Sequence, residues 1–235
     1  MNEELNFDIV NHAVLKIGSL EIWITDTVIA TWVIMGILIT FAIIVRVKLK
    51  KFKDVPKGFQ NVVELLVEAF DNYVRGVAGE KLSFLAYWFS TVFIFILLSN
   101  LSGLFSAGLL RPPTADWSMT LALALVTVTL IHVMGVKYQG AKYIKSFFEP
   151  YPFFFPINLI GEISRPISLS FRLFGNILSG FIVMALIYNI TPVFVRFGIP
   201  AALHVYFDLF AGILQTYIFV TLGLTFISGA AADES

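Results

Sequence analysis

The stretch PINLIGEISRPISLSFRLFGNILSGFIVMALIYN, residues 156–189, decides the fold class. Its apolar residues recur at helical spacing. Pro156 suits a first helical position, and Thr191-Pro192 supplies a stop. As one helix the stretch is about 51 Å long, whereas the hydrocarbon core of a bilayer is about 30 Å thick. It must therefore lie at roughly 50° to the membrane normal or bend, and Pro166 is a candidate bend. Arg172 sits at its middle. A guanidinium does not shed its proton, and holding one at membrane depth costs from about 3 to more than 10 kcal/mol. A chain that keeps such a cation has a use for it.

Composition agrees with a membrane setting. Of 235 residues 58% are hydrophobic and 14% charged, against roughly 25% charged in ordinary soluble domains. Mean hydropathy is +0.85. Formal net charge is zero, so bulk electrostatics point to no nucleic-acid partner. With no cysteine there is no disulfide framework, thiol chemistry or thiolate metal site, and we expect no metal and no cofactor. The N-terminal MNEELNFDIVNHAV lacks the basic and apolar regions of a signal peptide, so no processed segment is expected.

Outward from 156–189 the chain divides into membrane segments. Thr25 and Asp26 offer capping oxygens to an apolar run at 27–47. The cluster Arg46, Lys48, Lys50, Lys51, Lys53 and Lys57 follows at once. Short basic loops stay in the cytoplasm, which puts residues 1–26 outside and the C-terminus in the cytoplasm. Over 56–79 apolar residues keep helical spacing while Glu64, Glu68, Asp71 and Arg75 fall mostly opposite, predicting an amphipathic helix on the cytoplasmic surface. Further spans are expected at 84–105 and at 116–136, the latter capped by Asp116. Asn100, Ser102 and His132 read as packing or interhelical hydrogen-bond residues. A last helix at 199–228 pairs with 156–189 in a long, steeply tilted C-terminal hairpin. The expectation is one all-α polytopic membrane domain of about five embedded helices plus a surface helix.

On the long helix Arg165, Ser168, Asn176 and Ser179 fall within about 40° of Arg172, and Glu162 lies one ridge away. On the last helix His204, Asp208 and Gln215 share a face at α-helical spacing. Arg165 could equally snorkel to headgroups, and Arg172 could be structural glue between helices. The functional reading uses an asymmetry. Glu162 lies toward the cytoplasmic start of its helix, and His204 and Asp208 toward the outside start of theirs. Each set could anchor a water-filled inlet from its own side, with a fixed cation between them. Two such half-paths conduct only if a partner carries the ion from one to the other.

The core RLFGN at 172–176 within ISRPISLSFRLFGNILSG, preceded by PINLIGE, resembles the signature of subunit a of F-type ATP synthases. The likeness in segment order covers nearly the whole chain. It implies a stator subunit of a rotary ATP synthase in a bacterial cell membrane. Partners would be the c-ring proteolipids, the peripheral-stalk b subunits and lipid. Arg172 would face the c-ring carboxylates and prevent a short circuit. Asn176 and Gln215 would line the path, Glu162 would belong to the cytoplasmic half-channel, and Asp208 with His204 to the outer one. Phe181 stands where relatives carry an acid or histidine, which leaves Asp208 as the main outer titratable group. Gly161, Gly175, Ser179 and Gly180 would let the ring's helices approach closely. No P-loop is present, so ATP chemistry would lie in partner subunits. Rival readings are a proton- or sodium-coupled secondary transporter, for which no inverted repeat is visible, and a non-transporting assembly scaffold.

Overall fold

A computed structural model describes residues 11–17, 20–105, 111–190, 202–203 and 205–232. A two-stranded antiparallel hairpin, β1 (Asn11–Ile17) and β2 (Leu20–Thr25), leads into the helices. It is an addition to the all-α expectation. The N-terminal segment is mixed in polarity, but Ala13, Leu15 and Ile17 alternate with polar or β-branched neighbours at the period of a strand.

Helix α1 (Asp26–Leu49) starts where the Thr25 hydroxyl accepts the Val28 N–H at 3.4 Å. Arg46 and Lys48 in its last turn complement the helix dipole. It buries only Asp26, Thr27, Ala30 and Ile34, so most of its apolar surface faces outward. In water that would be untenable; in lipid it is expected. Helix α2 (Phe59–Ala78) is the amphipathic one. It is bounded by Gly58 and Gly79, whose φ of 58° and 80° only glycine adopts without strain. Gln60 closes the preceding loop by accepting the Lys53 N–H and donating to the Lys53 carbonyl.

The core is made by α3 (Ala86–Phe105), α4 (Trp117–Gln139), α6 (Phe155–Ile190) and α7 (Val205–Ala231). Phe89, Ile96, Ile131, Leu173, Phe219, Leu224 and Ile227 are fully buried there. Helices α3, α4 and α7 pack closely at Gly223, where a Cβ would lie 3.0 Å from Phe89 and 3.1 Å from Thr127. Asp116 caps α4 by accepting the Ser118 N–H at 2.8 Å and also accepts from the Thr27 hydroxyl. The buried Asn100 ties α3 to α7, whereas Ser102 bonds only the Ser99 carbonyl of its own helix. A short helix α5 (Ala141–Ser146) folds back beside α4 after Gly140, at φ 60°.

Among the described residues five helices, α1, α3, α4, α6 and α7, are long and apolar enough to cross a membrane. The chain is an all-α multi-pass membrane protein with that one hairpin added. Helix α6 is 36 residues long, about 54 Å, with Pro166 inside it. The turn expected around residues 191–200 lies outside the described residues.

Candidate functional site

Helix α6 presents two faces. Leu169, Leu173, Ile177 and Met184, four or seven residues apart, are buried against the bundle. Ser168, Arg172 and Ser179 are exposed on another side. Arg172 forms no salt bridge or hydrogen bond with any described residue. A Cβ on Gly161 or Gly175 would meet nothing within 4 Å, so both open outward. Gly180 does not share that surface. Its missing Cβ would lie 3.3 Å from Phe207 of α7, so Gly180 serves packing within the chain. Ser179 donates to the Asn176 carbonyl at 2.9 Å.

Polar groups nearer the bundle are under-satisfied. The Asn176 Nδ2 and the Gln215 Nε2 are buried without a hydrogen-bond partner, and Gln215 is 7% exposed. Each such donor costs about 1–3 kcal/mol when dry. Each therefore favours hydration or a ligand at its own position.

The start of α7 departs from the sequence expectation. Val205–Ala211 is π-helical, which adds a residue to the turn. The α-helical spacing that would put Asp208 on the face of Gln215 does not hold across this segment. Asp208 is half-buried within the π-helical turn and is engaged by other groups. His204 lies outside the described residues.

Glu162 is built into the most elaborate cluster. Arg165, one turn on, places Nη1 2.7 Å from each carboxylate oxygen, so it pairs in place rather than snorkelling. Its guanidinium carbon also sits 5.3 Å from the centre of the Phe226 ring of α7. From α4, His132 brings Nε2 to 3.8 Å from Glu162, and its Nδ1 is 2.8 Å from the Tyr143 hydroxyl of α5. Burial, with Glu162 adding and Arg165 opposing, raises the Tyr143 phenol above its ordinary range. A polar cavity of about 480 Å³ opens beside the cluster, lined by Lys142, Tyr143, Glu149, Asn158, Glu162 and Arg165 among others. His132 thus makes an interhelical hydrogen bond, as one of its sequence readings expected, and also approaches Glu162. The only signal was a histidine three residues before Gly135 on an apolar helix, which carries no hint that α5 folds back onto it. No group of three or more His, Cys, Asp or Glu able to hold a metal occurs among the described residues.

A model of the ATP synthase A chain family matches residues 28–228. The chain is 36% identical over 225 residues to the "ATP synthase subunit a, sodium ion specific" of Propionigenium modestum, covering 89% of this chain and 75% of that protein. It is 33% identical over 216 residues to ATP synthase subunit a of Moorella thermoacetica, covering 92% and 94%. To the chloroplastic subunit a of Stigeoclonium helveticum it is 33% identical over 219 residues, covering 89% and 85%.

Proposed function

The chain belongs to the ATP synthase A chain family, a membrane-sector subunit of the F-type rotary enzyme, and from that premise we propose that it is the stator which passes protons to and from a rotating c-ring through two offset half-channels. Arg172 carries the reading. It is an obligate cation, exposed on a helix of membrane-spanning length, and no acid among the described residues pairs with it. Its counter-charge then belongs to a partner, and a c-ring carboxylate has the required sign. Gly161 and Gly175 leave that surface low enough for a sliding helix.

In this reading the basic residues after α1 face the cytoplasm, with the N-terminus outside. A proton enters from outside past Asp208, with His204, and neutralises a ring carboxylate so that it can turn into lipid. After nearly a full turn the proton leaves past Glu162 into the polar cavity. Arg172 favours the ionised carboxylate and repels a proton that would cross directly. The unpartnered amides of Asn176 and Gln215 supply donors along the path. Peripheral-stalk b subunits would hold the chain still against the ring.

The test is Arg172→Ala in the assembled enzyme. Proton-driven ATP synthesis is lost, while membranes carrying the complex leak protons passively. Coupled synthesis retained in that variant would refute the assignment. ATP-driven acidification of inverted vesicles should also proceed without added Na⁺; strict Na⁺ dependence would move the coupling ion to sodium.

A further inference from the structure

The cluster around Glu162 contains more than a channel carboxylate needs. Tyr143 reaches His132 only because α4 has a glycine at 135. A Cβ there would lie 2.5 Å from the Tyr143 ring carbon Cε2. Gly135 and His132 are one turn apart on the same helix face, so the ring lies in the glycine slot and its hydroxyl meets Nδ1 at 2.8 Å. Tyr143 is 8% exposed, and its raised phenol stays protonated near neutral pH. Its oxygen can accept the Nδ1 proton, which leaves the Nε2 lone pair directed at Glu162, 3.8 Å away. A small ring rotation or one bridging water closes that gap.

We propose that His132, oriented by Tyr143 in the Gly135 slot, is a proton store beside Glu162 on the cytoplasmic half-path. This rests on the half-channel reading above. When Glu162 is protonated, its carboxyl O–H bond breaks and an N–H bond forms at Nε2. The result is an imidazolium facing a carboxylate, with the Nδ1 proton still donated to Tyr143. Release reverses the step: Nε2 returns its proton to Glu162, which passes it to water of the adjoining cavity or to the ring. The store works in both directions, speeding discharge in synthesis and capture in ATP-driven pumping. Imidazole suits the task because it changes charge near neutral pH.

The groups facing His132 are few. From α6 they are Glu162 and Arg165, and from α5 Tyr143; the ionisable groups of α7, Tyr206, Asp208 and Tyr217, are all distant in sequence from the Arg165 contact at Phe226. Lys137, on the same helix as His132, is turned to Phe84 and Tyr138. Lys142 and Glu149 line the cavity beyond Tyr143.

The experiment uses the whole enzyme in inverted vesicles, where the cytoplasmic side faces the medium. ATP-driven proton pumping is measured against medium pH from about 5.5 to 8.5, the window around an ordinary imidazole, for wild type, His132→Gln, Tyr143→Phe and Glu162→Gln. His132→Gln should pump about tenfold more slowly at its best and change the shape of the pH profile. Tyr143→Phe, a near-isosteric change that keeps the ring in its slot, should show a smaller loss and an altered pH profile. Glu162→Gln should pump least. Should Glu162→Gln fail while His132→Gln and Tyr143→Phe keep wild-type rate and profile, the store is refuted and the half-path stands. If all three variants pump normally, both fall.

Discussion

Asn100 should be the costliest single polar side chain to lose for stability. Its Nδ2 donates to the Gly212 carbonyl at 3.0 Å and to the Thr216 hydroxyl at 3.1 Å, and its Oδ1 accepts from Thr114 at 2.8 Å. Thr216 itself donates to the Gly212 carbonyl at 2.8 Å, which closes a ring of bonds. Asn100 is 1% exposed, and Thr114 and Thr216 are 0% exposed. Asn100→Ala breaks three bonds and strands the Thr114 hydroxyl. Interhelical bonds in membrane proteins average about 0.6 kcal/mol, giving about 2 kcal/mol. With a buried, unsatisfied hydroxyl added at about 1–3 kcal/mol, the loss should be about 3–5 kcal/mol. Gly212 follows directly on the π-helical turn, so the network also fixes where that turn ends. The measurement is reversible unfolding of the chain in mixed micelles by SDS titration, followed by tryptophan fluorescence. Asn100→Asp should be at least as damaging, since it aims an acceptor at two oxygens. A loss below about 0.5 kcal/mol for Asn100→Ala, the scatter of ordinary surface substitutions, would refute the reasoning.

Other outcomes follow from single contacts. Gly223→Leu forces side-chain atoms into Phe89 and Thr127 and should cost about 1–3 kcal/mol or more in the same SDS titration, with Gly223→Ala milder. Because the native state prefers the neutral Tyr143 phenol, its contribution is complete below the ordinary tyrosine range near 10 and is lost as pH rises through and above it; Tyr143→Phe should flatten the alkaline limb of stability against pH. In a chain without cysteine, a single Cys at 162 should react with a polar thiol reagent added from the cytoplasmic side, and one at 208 from the other. Reaction of position 208 only from the cytoplasm would reverse the assigned sides.

The membrane fold was legible because lipid makes it simple to read. Long apolar runs, Thr25 and Asp116 as caps, and the amphipathic pattern after Gly58 are local signals, and local signals decide helices. Three features escaped for one shared reason. The hairpin before α1 depends on strand pairing. The π-helical turn depends on how α7 meets Asn100 and Gly180. The His132–Tyr143 contact depends on α5 folding back over Gly135. All three depend on contacts between elements, which the local pattern alone does not decide. The polar stripe on α6 was half legible: Ser168, Arg172 and Ser179 do share an exposed side, but Gly180 turned inward and Arg165 paired with Glu162.

The two arginines of α6 show how the fold distributes its charges. Arg165 is satisfied within the chain, by Glu162 at 2.7 Å and by the Phe226 ring, so it neutralises the carboxylate that borders the cavity. Arg172, seven residues on and two turns deeper, has neither. A cation left at that depth costs about 3 to more than 10 kcal/mol, and a single substitution to leucine would remove the cost. Folding of this chain gains nothing visible from Arg172. On the proposed reading the gain arises in the assembled enzyme, in a contact that forms and breaks, whereas Arg165 has its permanent partner in Glu162. Arg172→Leu should therefore leave the unfolding of the isolated chain unchanged or make it more resistant, while coupling is lost. A chain destabilised by Arg172→Leu would place the arginine's role inside the subunit and remove the energetic case for a moving partner.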